Sequence, residues 1–164
     1  FLEKFPAYAE AMLAFLQEGA KLESLYQPIN DAVSLVHLLK KRSDIALGII
    51  TGNVKRIADW KLDHAGLAGI ISFGVYGDEA DDRNALAHVV FEKAQEAFHQ
   101  IFSPHTIVVI GDTVHDVRAG KAIGAMTIAV TTGYHGDRGP LLVEKPDLLA
   151  DSLMEKPVRD IFGV

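Results

Sequence analysis

The chain contains no cysteine. That excludes a disulfide framework, a thiolate metal site and a cysteine nucleophile, and it fits a cytoplasmic setting. No apolar run is long enough to cross a bilayer, so no membrane partner is expected. The opening, "FLEKFPAYAE", has neither the basic start nor the apolar core of a signal peptide, and a first residue that is Phe does not look like a natural start. Positive charge is also short: 16 Lys and Arg against 22 Asp and Glu leave a net charge of −6. A nucleic-acid partner, which needs clustered Lys and Arg over a broad surface, is therefore not expected. A local anion site stays open. Internal repeats and low-complexity tracts are absent. The seven histidines show no metal-ligand spacing, and no serine has a base partner visible in the sequence. Against these absences stand 164 residues, 49% hydrophobic and 23% charged. That is the balance of one globular domain with a real core.

Apolar spacing predicts helices over 2–18, 28–42, 53–67, 84–101 and 115–125. Pro28 suits a first turn, Asn53 an N-cap, and Gly66 and Gly124 helix stops. Short continuous apolar runs predict strands at 45–51, 70–77, 106–112 and 126–133, with an edge strand at 147–153 and a last helical turn at 156–162. Leu86, Val89, Val90, Ala94, Ala97, Phe98 and Ile101 are expected to face the core, as is Trp60. Residues 135–138 are expected to form a surface loop. Strands alternating with helices predict an α/β fold, a Rossmann-like parallel sheet with helices on both faces. The composition changes near residue 43.

In open α/β sheets ligands bind beyond the carboxyl ends of the strands. Those ends carry Thr51-Gly52-Asn53, then Asp112 with Asp116 one helical turn on, then Thr131, Thr132 and Gly133. Thr51-Gly52-Asn53 offers a hydroxyl, a glycine N–H and a helix start, which together make a small anion cradle. Its plainer reading is a capped strand-to-helix junction. Asp112 and Asp116 offer hard oxygen donors, and magnesium takes one or two such carboxylates while keeping several waters. The plainer reading there is that Asp116 caps the next helix and Asp112 is a solvated loop acid. Gly111 would let the chain turn without a side chain blocking the ion.

The series "GIITGN", a basic residue closing "YGDEADDR", and "VVIGDTVHDVRAGKAIGAMTIAVTTG" resembles the haloacid dehalogenase-like hydrolase superfamily, especially its phosphoglycolate-phosphatase-like members. The resemblance runs over roughly residues 25–162. It implies a hydrolase that cleaves a small phosphorylated metabolite with Mg2+ as cofactor. It implies that Thr51 binds the transferring phosphoryl group, with backbone help from Gly52 and Asn53. It implies Asp112 and Asp116 as the metal residues. The family's basic residue is usually Lys; here Arg83 stands at that place, with Lys55 and Arg56 as fallback cations. Arg83 can also be read as a surface residue paired with Asp81 or Asp82. By the same resemblance residues 1–24 are expected to be part of a helical cap, and 25–164 a core lacking its first strand.

The family's nucleophile is the first Asp of a D-x-D-G-[TS] strand, and no Asp here stands in that setting. Asp112 is followed by Thr113-Val114-His115. The nucleophile strand is therefore expected upstream of Phe1, and residues 1–164 are expected to be inactive without it. Two other readings stay open. One is a non-catalytic phosphate-binding or regulatory α/β domain. The other is a 2-haloacid dehalogenase, whose chemistry needs no magnesium and leaves the acidic loop unexplained. The oligomeric state is not legible in the sequence.

Overall fold

The computed structural model describes residues 5–20, 27–79, 83–133 and 135–164. Two parallel sheets form. One pairs β1 (Gly48–Ile50) with β2 (Phe73–Val75), Ile49 lying opposite Gly74. The other runs β3 (Val108–Gly111), β4 (Met126–Val130), β5 (Leu148–Ala150), with Ile110 opposite Ile128 and Ile128 opposite Leu148. All strands are short and apolar, as strands covered on both faces should be.

Each parallel pair needs a crossover, and helices supply it. Helix α3 (Lys55–His64) links β1 to β2, α5 (Val114–Ala122) links β3 to β4, and α6 (Arg138–Val143) links β4 to β5. Helix α4 (Arg83–Phe98) carries the chain from one sheet to the other. On one face, Leu35 and Leu39 of α2 (Asn30–Leu39) and Val158 of α7 (Lys156–Phe162) pack on Ile128, Val130 and Ala150. Ile45 and Leu47, which lead into β1, join this cluster. On the other face, Val117 of α5 and Leu141 of α6 cover Ala129 and Leu149. Val90 of α4 covers Val75, alongside Ile50 and Ile107. Apolar contact on both faces thus ties the two sheets together. The α/β arrangement expected from the alternating pattern is the one observed.

Several boundaries differ from expectation. Asn53 does not cap α3: Val54 is the N-cap residue, without a side-chain bond, and Asn53 is engaged elsewhere. Helix α4 ends at Phe98, where His99 takes a left-handed φ of 52°. Ile101 lies beyond that break and is 81% exposed. Ala97 is exposed too, while Val90 and Ala94 are buried. The side chain of Leu86 lies outside the described residues. Trp60 is half-buried: it packs against the cluster of Leu13, Leu16, Val54 and Ile57, as expected of a core-facing residue, and stacks on His64. Part of the expected 135–138 loop opens α6, whose Asp137 caps the Gly139 N–H at 3.1 Å. Helix α1 (Phe5–Ala20) lays Ala9, Leu13 and Leu16 on Val54 and Ile57. No helix among the described residues is long and apolar enough to cross a membrane.

Asp31, in the first turn of α2, binds the loop after β5. Its carboxylate accepts from the Ala32 N–H at 2.8 Å, and from the Ser152 hydroxyl and Leu153 N–H at 2.9 Å each. Burial pulls this carboxyl up, but the donors Leu153, Ser152, Ala32 and Thr132 outweigh it and hold it below the usual carboxylate value. A depressed folded value means stability that is complete above the ordinary pKa near ~4 and fades as the pH falls through the lower one. Asp31→Ala should cost about 1–3 kcal/mol at neutral pH, because several donors are orphaned at once. Urea titrations at pH 7 and pH 3 should show that deficit shrinking on acidification. An equal deficit at both would refute the assignment.

Candidate functional site

Thr51 follows β1 directly. Its N–H continues the ladder to the Val75 carbonyl at 3.0 Å, which draws the residue inside the fold. It is one of the buried polar residues, 8% exposed. Its Oγ1 accepts from the Asn53 N–H at 3.1 Å and from Asn53 Nδ2 at 2.8 Å. A hydroxyl has two acceptor sites and one proton. Both acceptor sites are filled from Asn53, so Thr51 is set up as a donor. Gly77 holds this turn: its N–H donates to the Asn53 carbonyl at 2.9 Å. A Cβ at Gly77 would stand 2.0 Å from the Gly52 oxygen.

Lys61, two turns into α3, donates to Asn53 Oδ1 at 3.3 Å. It is half-buried, and burial holds its ammonium below the ordinary lysine pKa. The sequence reading passed over Lys61. The signal was there: it lies between Trp60 and Leu62 on a partly apolar flank, where a lysine either reaches water or takes a polar partner. The two fallback cations are committed elsewhere. Lys55 pairs with Asp59 at 2.6 Å, and Arg56 pairs with Glu10 of α1.

Asp112 follows β3 and is half-buried. Its Oδ2 accepts from the His135 N–H at 3.2 Å. The loop after β4 reaches it because Gly133 has no side chain; a Cβ there would stand 1.9 Å from that oxygen. Asp116 completes a capping box at the start of α5. Its Oδ2 accepts from the Thr113 N–H at 3.1 Å and hydroxyl at 2.7 Å, while Thr113 Oγ1 accepts from the Asp116 N–H. The Gly111 hydrogen makes room for that carboxylate, since a Cβ would lie 2.4 Å from Asp116 Oδ2. So the space at Gly111 is taken by Asp116 itself. The helix-capping reading of Asp116 describes its contacts here. Thr131 donates its hydroxyl to Asp151 Oδ1 at 2.9 Å, and Arg138 pairs with the same carboxylate. His115 is exposed.

Arg83 opens α4. Its side chain, and Asp81 and Asp82 altogether, lie outside the described residues. No group of three or more His, Asp or Glu suited to hold a metal occurs among the described residues. Among the described residues of this site, Asp112 has the chemistry of a hard-cation ligand: it is a half-buried carboxylate whose Oδ2 accepts from the His135 N–H. A magnesium that keeps its waters needs little more from one chain segment.

The haloacid dehalogenase-like hydrolase family model matches residues 4–124. The chain is 28% identical over 145 residues to a phosphoglycolate phosphatase of Vibrio vulnificus, covering 86% of this chain and 58% of that protein. It is 30% identical over 147 residues to one of Synechococcus elongatus, covering 83% and 65%. The chain thus spans less than two thirds of these curated relatives. Its fold is similar to a haloacid dehalogenase-like hydrolase from Streptococcus pneumoniae, with a TM-score of 0.63 at 23% identity over 80% of this chain and 57% of that one.

Gly133→Ala tests the packing of the acidic loop. The new methyl meets the Asp112 carboxylate, so denaturant unfolding should show a loss of about 1–3 kcal/mol. In an Asp112→Gly background the same change should cost a fraction of that. Equal losses in both backgrounds would show that the close approach does not constrain the loop.

Proposed function

The chain belongs to the haloacid dehalogenase-like hydrolase family, and from that premise we propose that it is most of the core of a magnesium-dependent phosphatase acting on a small phosphorylated metabolite. The observation that carries the reading is Thr51: a buried hydroxyl at a strand end whose acceptor sites are both filled from Asn53. A hydroxyl so placed can only give its proton, and a phosphate oxygen is the partner that takes it.

In this reading Thr51 and the Gly52 N–H hold two phosphate oxygens. Asn53 contributes through Thr51, because its own N–H is already engaged. Arg83, at the positive end of α4, neutralises the ester and can bind it through two N–H groups. Asp112 holds magnesium and Asp116 supports the loop around it. When bound, the ion offsets the charge that carboxylate and phosphate bring together. Positioning and charge stabilisation of this kind supply most of the acceleration in phosphoryl transfer.

The nucleophile comes from a strand outside these residues. Among the described residues β1 pairs only with β2, and β3 only with β4. Each therefore keeps an edge of N–H and C=O groups that a further strand would satisfy. An Asp at the end of that strand attacks phosphorus. The P–O bond to the leaving alcohol breaks, a second Asp protonates the alcohol, and an aspartyl-phosphate remains. Water activated by the second Asp then releases inorganic phosphate. Residues 1–24 belong to a cap in this scheme, and 25–164 to the core. The cytoplasm, where such metabolites occur, is the proposed setting.

The test is the full-length protein assayed on phosphate monoesters, 2-phosphoglycolate first because the relatives are named for it. Phosphate release should require magnesium. Asp112→Asn and Thr51→Val should each lower kcat/KM by about 10²-fold or more. Wild-type rates in Asp112→Asn would remove the metal role. Halide release from a 2-haloacid without magnesium would favour dehalogenation, and no turnover of either kind would favour a binding module.

A further inference from the structure

We infer that Lys61 is a positioning residue for phosphate binding: it fixes the direction of the Asn53 carboxamide and thereby keeps the Thr51 hydroxyl a donor. The inference rests on the reading of Thr51 as the phosphate-binding hydroxyl.

A carboxamide has an acceptor at one end and two donors at the other, and a half-turn exchanges them. In the observed orientation Nδ2 faces Thr51 at 2.8 Å and Oδ1 faces the Lys61 ammonium at 3.3 Å. Reversed, Oδ1 would face the Thr51 hydroxyl and accept its proton, which removes the donor an anion needs. Lysine can only donate, so the reversed amide would set two donors against each other. The ammonium therefore selects one of two orientations. Thr51 is 8% exposed, so water does not readily replace a misdirected bond there.

Lys61 reaches back along its helix to do this. Helical side chains lean toward the N-terminus, the direction in which Asn53 lies. Its neighbours on the first turn of α3 cannot substitute, because Lys55 is paired with Asp59 and Arg56 with Glu10. Half-burial of Lys61 supports the same view. Holding an ammonium partly out of water lowers its pKa, and the Asn53 oxygen is among what compensates it.

The experiment is calorimetric titration of inorganic phosphate, with magnesium present, into the full-length protein. Lys61→Met should weaken phosphate binding about tenfold, the size of one charge-assisted hydrogen bond, with the thermal midpoint little changed. Lys61→Arg should restore most of the affinity. In an Asn53→Ala background, where there is no amide to orient, Lys61→Met should change binding by less than about twofold. A purely electrostatic attraction by Lys61 would persist in that background, and a full tenfold loss there would overturn the inference. So would unchanged affinity in Lys61→Met. Should Lys61→Met fold poorly, Lys61→Gln carries the same comparison. Thr51→Val separates the two levels. If it leaves phosphate binding intact, the underlying reading fails; if it abolishes binding while Lys61→Met is silent, the positioning role alone fails.

Discussion

A buried hydroxyl has to place three hydrogen-bonding features, and at Thr51 two of them are filled by one neighbour. Asn53 gives both its backbone N–H and its side-chain Nδ2 to Thr51 Oγ1. The rest of the site follows from this pair. It holds the turn after β1 in a closed form. It takes Asn53 away from the helix cap, so that α3 starts at Lys55 behind an uncapped Val54. It turns a residue that could accept or donate into one that donates. A local cost, the lost cap of about 1 kcal/mol, goes with a gain in chemical definition.

The second constraint is space. Three glycines sit where backbone or carboxylate atoms crowd the strand ends, and each faces a different part of the site: Gly77 the Gly52 carbonyl, Gly111 the Asp116 carboxylate, Gly133 the Asp112 carboxylate. These glycines do not need unusual backbone angles. They need to be small. Protein interiors transmit displacement because they are packed to the density of crystals. A methyl at any of the three would therefore displace the backbone or a carboxylate at the strand ends where the site lies.

Much of the fold was legible because periodicity reports burial. The run Ile107 to Ile110 has one apolar residue after another, and all but its first residue belong to β3, which is packed on both faces. Where burial was not the deciding force, the reading slipped. Ile101 continued a helical pattern, but His99 had already ended the helix, and no contact drew Ile101 inward. The surface loop expected over 135–138 gives way to α6 at Arg138, although Arg138-Gly139-Pro140 is poor helix material. Capping by Asp137 and burial of Leu141, 1% exposed, outweigh that. Asp116 is a case where two roles use the same atoms. A carboxylate three residues past Thr113 is a capping-box signature, and it is also the spacing of a metal loop.

The sequence by itself determined the alternation of strands and helices apart from α6, the placement of Thr51 and Asp112 just past apolar runs, and the family to which these motifs belong. Those features depend on local pattern and on which residue follows which. Tertiary structure decided which way each polar group faces. Lys61 meets Asn53 across two helical turns, and His135 meets Asp112 across α5 and β4. No spacing in the chain encodes those contacts. They arise because helices packed on both faces bring distant segments within hydrogen-bond reach, and a buried polar group must then take the partner that is there.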